Sequence, residues 1–267
     1  MKRFGQIVAG FGLLALTFTA ATERAATAGE LELLESGKLQ VATEGTFPPF
    51  SMKDQQGKLD GLEIRVMQEV AKRLGLEYQP VLIKWDSILV GLFSDQYDII
   101  SAAMDITEER QKKVTFVDGW LESGGRLLVH KDSGIKSSSD IKGKTIGVLV
   151  ASTWLDLAKE AGAGEIKTYK SETDALQDLV NGNIDGVVTD AIAGAYAIEK
   201  SKLPLKMSDG YLSRVQKGWP VKKGKPNLVK AINKTLAEMV ADGTYAKLTS
   251  GIIGFSPAPE QPIPSNL

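Results

Sequence analysis

The sequence predicts an α/β protein with mainly parallel sheets covered by helices, arranged as two similar units. Strand and helix patterns alternate from residue 38 to residue 103, and the alternation restarts after Ser123-Gly124-Gly125. The 267 residues, 43% hydrophobic and 24% charged, are enough for one large or two modest globular domains.

In chain order, Lys2 and Arg3, the apolar run 7–21 and the small residues ending Ala26-Thr27-Ala28 form a secretory signal, with cleavage expected after Ala28. The apolar run is too short to span a bilayer. Loss of residues 1–28 leaves 29 basic against 32 acidic residues, a net charge of −3. Residues 38–43 read as a strand. Residues 62–74 read as a helix with Asp60 as cap, Glu63 as its reciprocal partner and Gly75 as terminator. Its stripe of Leu62, Val66, Met67, Val70, Ala71 and Leu74 marks the buried face. A strand at 78–83, a short helix at 88–93 and a strand at 98–103 complete the first unit.

The second unit runs through strands at 126–130 and 145–150, a helix at 153–161, a helix from the cap Ser171 to Gly182, a strand at 186–189 and a helix from Ala191. A last amphipathic helix is expected over 228–240. Pro257, Pro259, Pro262 and Pro264 predict a loose tail after Phe255.

The formal net charge of −1 is spread along the chain, which excludes the basic face a nucleic-acid binder needs. With no cysteine there is no disulfide, thiolate metal site, thiol nucleophile or lipid anchor on an N-terminal cysteine, so the exported protein is expected free in a Gram-negative periplasm. The single histidine, His130, has no evident Ser/Asp partner. No phosphate loop, dinucleotide fingerprint, HExxH or calcium loop occurs, so neither cofactor nor metal is expected. A binding module fits these features better than an enzyme.

Ligands of parallel α/β sheets meet the carboxyl ends of the strands. Those ends carry Glu44 with Phe47 close behind, Asp105 with Arg110, then Ser152-Thr153, and Asp190. Arg110 poses a question of its own. It falls in the first turn of a short helix for which Asp105 is the expected cap and Glu108 the reciprocal partner. A cation there opposes the helix dipole at a cost of about 0.3–1 kcal/mol. Either Glu108 and Glu109 offset it, or an anion from outside the chain does.

Several ordered segments carry a resemblance: 41–50 from Val41-Ala42-Thr43 to Pro49-Phe50, Asp60-Gly61-Leu62-Glu63-Ile64, Ile106-Thr107-Glu108-Glu109-Arg110, Phe116-Val117-Asp118, Gly143-Lys144 and Asp242-Gly243-Thr244-Tyr245. Over residues 38 to about 255 the chain resembles the periplasmic solute-binding proteins of polar amino-acid ABC importers, the type II Venus-flytrap group that includes the glutamine- and lysine/arginine/ornithine-binding proteins. The resemblance implies two lobes joined by two crossing strands, with 31–121 and 218–267 in the first lobe and 122–217 in the second. It also implies closure over a ligand by a hinge, and a monomer that docks transiently on an inner-membrane ABC permease.

Residue by residue, the resemblance gives Arg110 the ligand's α-carboxylate and Asp190 its α-ammonium. Glu44 takes a polar or cationic side-chain end that Phe47 and Trp85 sandwich. Ser152 and Thr153 help hold the carboxylate, and Ala103 offers a backbone carbonyl. Two positions depart from the pattern. Asp105 stands where Thr or Ser is usual, so it turns to the ligand's ammonium, pairs with Arg110, or marks a ligand that is not a plain α-amino acid. Leu149 replaces a polar residue of the glutamine-binding branch. With Glu44 and Asp105 both acidic, arginine, lysine or ornithine is the expected ligand. A runner-up from another class is the periplasmic cyclohexadienyl dehydratases on the same fold. Their general acid follows the segment matching Ile192, where this chain has Ala193.

Overall fold

The structure, a computed structural model, describes residues 31–267. The expected signal sequence therefore lies outside the described residues. Two five-stranded sheets organise the chain. The first has the order Glu77–Leu82, Lys38–Thr43, Ile99–Ile100, Pro220–Val221, Thr115–Phe116. The second has the order Glu165–Tyr169, Thr145–Leu149, Gly186–Asp190, Gly125–His130, Leu205–Met207. A two-stranded antiparallel ribbon of Leu121–Ser123 and Val215–Lys217 links them, so the chain crosses from one lobe to the other twice, side by side.

Both sheets are mixed. In the first, Lys38–Thr43 pairs in parallel with Glu77–Leu82 and Ile99–Ile100, while Pro220–Val221 runs antiparallel after its return through the ribbon. In the second, Thr145–Leu149 is parallel to both its neighbours, and Gly125–His130 is antiparallel to both of its own. The parallel strands bring residues 44, 83–85 and 101–105 to one edge of the first sheet, and 150–153 and 190 to one edge of the second.

The Leu62–Arg73 helix buries Leu62, Ile64, Val66, Met67, Val70 and Ala71 against the first sheet. Its start differs from the expected box. The N-cap is Gly61, at φ 132, where a Cβ would lie 2.3 Å from the Phe50 carbonyl oxygen, so only glycine fits. Asp60 instead forms a two-pronged pair with Arg65, at 2.6 and 2.7 Å. Glu63 turns inward and is fully buried. It accepts hydrogen bonds from Ser101 Oγ, from the Ala103 amide at 2.6 Å and from Trp219 Nε1 at 2.5 Å. A capping partner had been read from spacing alone, but the residue's depth makes it an anchor between helix, strand end and core.

The tail is not loose. Pro257 O accepts from the Glu122 amide at 2.8 Å, and Ile263 O accepts from the Gly119 amide at 2.8 Å. Asn266 accepts from the Phe116 amide at 2.7 Å and donates to the carbonyls of Gln111 and Val114 at 3.0 and 2.9 Å. Four prolines exclude regular structure but not docking, and here the tail satisfies the open edge of the first sheet at Thr115–Phe116. Asn266→Ala, which deletes all three side-chain bonds, is expected to lower unfolding stability by about 1–3 kcal/mol in urea titration. An unchanged midpoint would show that the edge does not need this cover. Among the described residues no helix is long and apolar enough to cross a membrane.

Candidate ligand cleft

The facing edges of the two sheets meet with the lobes closed. Leu149 packs in one cluster with Ala42, Trp85 and Ala102, while Ile192 and Ala193 join the core around the Leu62–Arg73 helix. Tyr196 Oη lies 3.6 Å from Met52 Sδ across the gap. Between the lobes, at the facing strand ends, lies a cavity of about 20 Å³, the room of a single water molecule, and beside it a wider groove of about 640 Å³ that shares Trp85, Arg110, Ser152 and Thr153. From the first lobe the cavity is lined by Glu44, Phe47, Trp85, Ala103, Asp105 and Arg110, with Ala102 beside them. Ser152, Thr153, Leu149 and Trp154 line it from the second. Eight of the nine residues expected at the site are thus brought together. The ninth, Asp190, lies behind the lining.

Arg110 is held by short-range geometry. Thr107, not Asp105, caps the Glu108–Lys113 helix, its hydroxyl accepting from the Arg110 amide at 3.2 Å. Thr107 is the residue in extended conformation just before the first turn, whereas Asp105 is already committed to the ribbon. The Arg110 guanidinium stacks over Trp85, 5.6 Å from the ring centroid, and donates to the Asp105 carbonyl at 3.0 Å. Burial lowers its pKa, with partial compensation from Asp105 and Glu109. Glu109 itself pairs with Lys113 at 2.8 Å. Among the described residues Arg110 forms no salt bridge, so the local acids act on its charge only at a distance.

Asp105 turns neither to Arg110 nor to open space. Its backbone bridges that of Lys217, with the Ile106 amide donating to Gln216 O at 2.9 Å and the Gly218 amide to Met104 O at 3.0 Å. This cross-strand placement sets the two side chains together. Lys217 Nζ donates to Asp105 Oδ1, and Thr153 donates to Asp105 Oδ2 from the other lobe. Lys217 also lies 2.9 Å from Asp190 Oδ2. Burial alone would depress the Lys217 pKa, but the Asp105 and Asp190 carboxylates outweigh it and raise it. The Trp154 ring covers the ammonium, with its centroid 4.9 Å from Nζ. Asp190 caps the Ala191–Glu199 helix, taking the Ile192 amide at 2.8 Å and Ser123 Oγ at 2.7 Å.

The remaining expected contacts take specific poses. Ser152 Oγ donates to Leu149 O at 2.6 Å, and Ala103 and Ala151 both adopt positive φ, 51° and 56°. Non-glycine residues in that region store strain, which clusters at sites where the backbone must face a ligand. Burial pushes the Glu44 carboxyl up to about 7; the Trp85 amide opposes the shift, and Glu172 and Asp86 add to it. Glu172, fully enclosed in the second lobe, is likewise raised to about 7 by burial, with Oε1 unpaired. Sequence reasoning passed over Lys217, Trp154 and Glu172. Only Trp154 had a sequence signal, since it directly follows Ser152-Thr153 at a strand end.

Two α/β lobes, a double-stranded crossing and a charged cleft between facing strand ends define a hinged small-molecule binding protein. Residues 39–254 match the bacterial extracellular solute-binding proteins, family 3, and the chain belongs to that family. It is 35% identical over 223 residues to the L-cystine-binding protein TcyJ of Escherichia coli strain K12, covering 82% of this chain and 84% of TcyJ. Among solved structures, an ancestral arginine-binding protein bound to arginine is similar at 40% identity and TM-score 0.75, covering 82% of this chain and 99% of that one. The ancestral amino acid-binding protein AncCDT-1, a precursor of cyclohexadienyl dehydratase, is similar at 35% identity and TM-score 0.77, covering 81% and 96%.

Proposed function

We propose that this chain is the substrate-binding receptor of an ABC importer and captures a polar or basic amino acid between its lobes by hinge closure. The observation that carries the reading is the Arg110 guanidinium: stacked on Trp85, facing the interlobe cavity and unpaired by any carboxylate of the described residues. A ligand carboxylate supplies the missing anion in the two-pronged geometry a guanidinium favours. A ligand of amino-acid size exceeds the cavity of about 20 Å³ that Glu44 and Arg110 line together, so reaching both takes an opening of the lobes about the Leu121–Ser123 and Val215–Lys217 ribbon. Residues 31–121 with 218–267, and 122–217, then move as the two lobes. The protein works in the periplasm as a monomer and delivers its ligand to an inner-membrane permease.

The dehydratase alternative is disfavoured by Ala193, a 2% exposed core residue that offers no proton to a leaving hydroxyl. Calorimetric titration with arginine, lysine, ornithine, histidine, glutamine and cystine tests the reading. Arg110→Ala is expected to weaken binding by about 2–5 kcal/mol, more than 30-fold, because it removes one partner of an enclosed charge pair. Binding unaffected by Arg110→Ala would refute it, and formation of phenylpyruvate from prephenate would favour the alternative.

Glu44 makes affinity for a basic ligand pH-dependent. Its carboxyl titrates near 7 in the free protein, and a cation beside it favours the ionised form. Binding therefore expels a proton below that value. Affinity is expected to fall about tenfold per pH unit below 7 and to level off above about 8. Glu44→Gln should flatten the profile, and a flat profile in the unaltered protein would show that no cation meets Glu44.

A further inference from the structure

Of the acidic groups at the cleft, the two nearest the crossing strands are already neutralised from within. Lys217 Nζ sits between Asp105 of the first lobe and Asp190 of the second, and the exposures of the three side chains are 1%, 3% and 0%. Both carboxylates have partners: Asp105 accepts from Lys217 and Thr153, Asp190 Oδ1 accepts from Ser123 Oγ and the Ile192 amide, and Asp190 Oδ2 has no hydrogen bond among the described residues but lies 2.9 Å from Lys217 Nζ as an ion pair. Trp154 closes over the ammonium and joins the cavity lining, whereas Asp190 does not reach it. The lining charges left without a protein counter-ion among the described residues are Arg110 and Glu44.

We infer that Lys217 is a specificity-determining residue: its ammonium takes the place a ligand's α-ammonium would hold between the lobes, so the cleft selects ω-amino or ω-guanidino carboxylates without regard to an α-amino group. This deepens the receptor reading and rests on it. A ligand of this class presents one carboxylate to Arg110 and one distal cation to Glu44. An additional α-ammonium would meet carboxylates whose charge Lys217 already answers, behind an ammonium that Trp154 covers. The acidic Asp105 is then the complement of Lys217 and need not repel the ligand carboxylate, because the lysine neutralises it.

The test is calorimetric titration of the secreted chain with matched pairs that differ only in the α-amino group: L-lysine against 6-aminohexanoate, L-arginine against 5-guanidinopentanoate, L-ornithine against 5-aminopentanoate. The natural protein is expected to bind each deamino acid within about threefold of, or more tightly than, its α-amino partner. In the double variant Asp105→Thr/Lys217→Met, which removes one charge of each sign and leaves Asp190 free, the α-amino acid should gain about tenfold or more over the deamino acid. Circular dichroism identifies a variant that fails to fold. In that event Lys217→Arg, which keeps the charge but lengthens the side chain, should keep the indifference to the α-amino group. A natural protein that prefers the α-amino acid by about tenfold or more overturns the inference while leaving the receptor reading intact. Absence of binding by every member of all three pairs overturns the inference with its premise of a basic ligand. A ligand found instead among the neutral amino acids, still lost in Arg110→Ala, keeps the receptor reading alone.

Discussion

Lys217→Met is expected to be the most destabilising single substitution in the hinge region. It strips the counter-ion from Asp105 and Asp190 at once and leaves two carboxylates at 3% and 0% exposure without a cation. Removing one partner of a buried ion pair costs about 3–5 kcal/mol, chiefly through the stranded charge rather than the lost attraction. For a chain of this size that lowers the thermal midpoint by on the order of 10 °C. Asp105→Thr added to Lys217→Met removes one of the two stranded acids and is expected to recover a large part of the loss. The signature in pH is specific. The Lys217 pKa is raised, so its contribution is fully present below the ordinary lysine value and fades only as pH rises through the folded value above it. The stability difference between Lys217→Met and the natural protein should therefore not diminish between pH 7 and pH 9. A difference that vanishes on going from pH 7 to pH 9, or a variant that melts with the natural protein, would show that the buried trio is not held as a charged cluster.

The α/β class and the strand-end location of the site were legible because parallel strands impose a repeated grammar: an apolar run, a turn with small or polar residues, then an amphipathic helix. The helix at Ile88–Phe93 and the strand at Lys38–Thr43 have the expected bounds for that reason. What sequence pattern missed is what depends on the return of the chain. Val215–Lys217 is only three residues long, and its lysine reads as surface until Leu121–Ser123 and the 104–106 segment close around it. Asp105 looked like a helix cap or a ligand contact because its real partner is 112 residues away. The Asp242-Gly243-Thr244-Tyr245 segment illustrates the converse. Its part in the resemblance is structural: Asp242 pairs with Arg73 at 2.8 Å, Gly243 takes φ 79 before the Thr244–Ile253 helix, and the Tyr245 hydroxyl donates to Trp120 O at 2.7 Å. The Thr244–Ile253 helix escaped the sequence reading, whose last helix ended at Val240.

Glu63→Ala couples the core to the cleft and is expected to impair both. Glu63 gathers Trp219 Nε1, the Ala103 amide and Ser101 Oγ, and Trp219 in turn stacks on Trp120 at 4.7 Å. The serine hydroxyl can rotate toward another acceptor, but the two N–H groups are fixed and buried. Leaving them unsatisfied costs about 1–3 kcal/mol each, to which the vacated volume adds. Urea unfolding should show a loss of about 3 kcal/mol or more. Because the Ala103 amide is tied to Glu63 and Ala103 lines the cavity at positive φ, ligand affinity should fall as well, although Glu63 does not line the cavity. Burial raises the Glu63 carboxyl to about 7, against the pull of those hydrogen bonds. Raised above its unfolded value, this acid keeps its proton in the folded chain while the unfolded chain loses it. Its effect on stability is thus most favourable below about pH 4.5 and is lost as pH rises toward 7, a difference of about 3 kcal/mol at most. Glu172, raised to about 7 as well, acts in the same direction. The natural protein is expected to grow more stable as pH falls from 7 to 5, and Glu63→Gln should reduce that slope while leaving the shares of Glu172 and Glu44. A slope unchanged in Glu63→Gln would mean that Glu63 is ionised throughout, held by its three donors against the cost of burial.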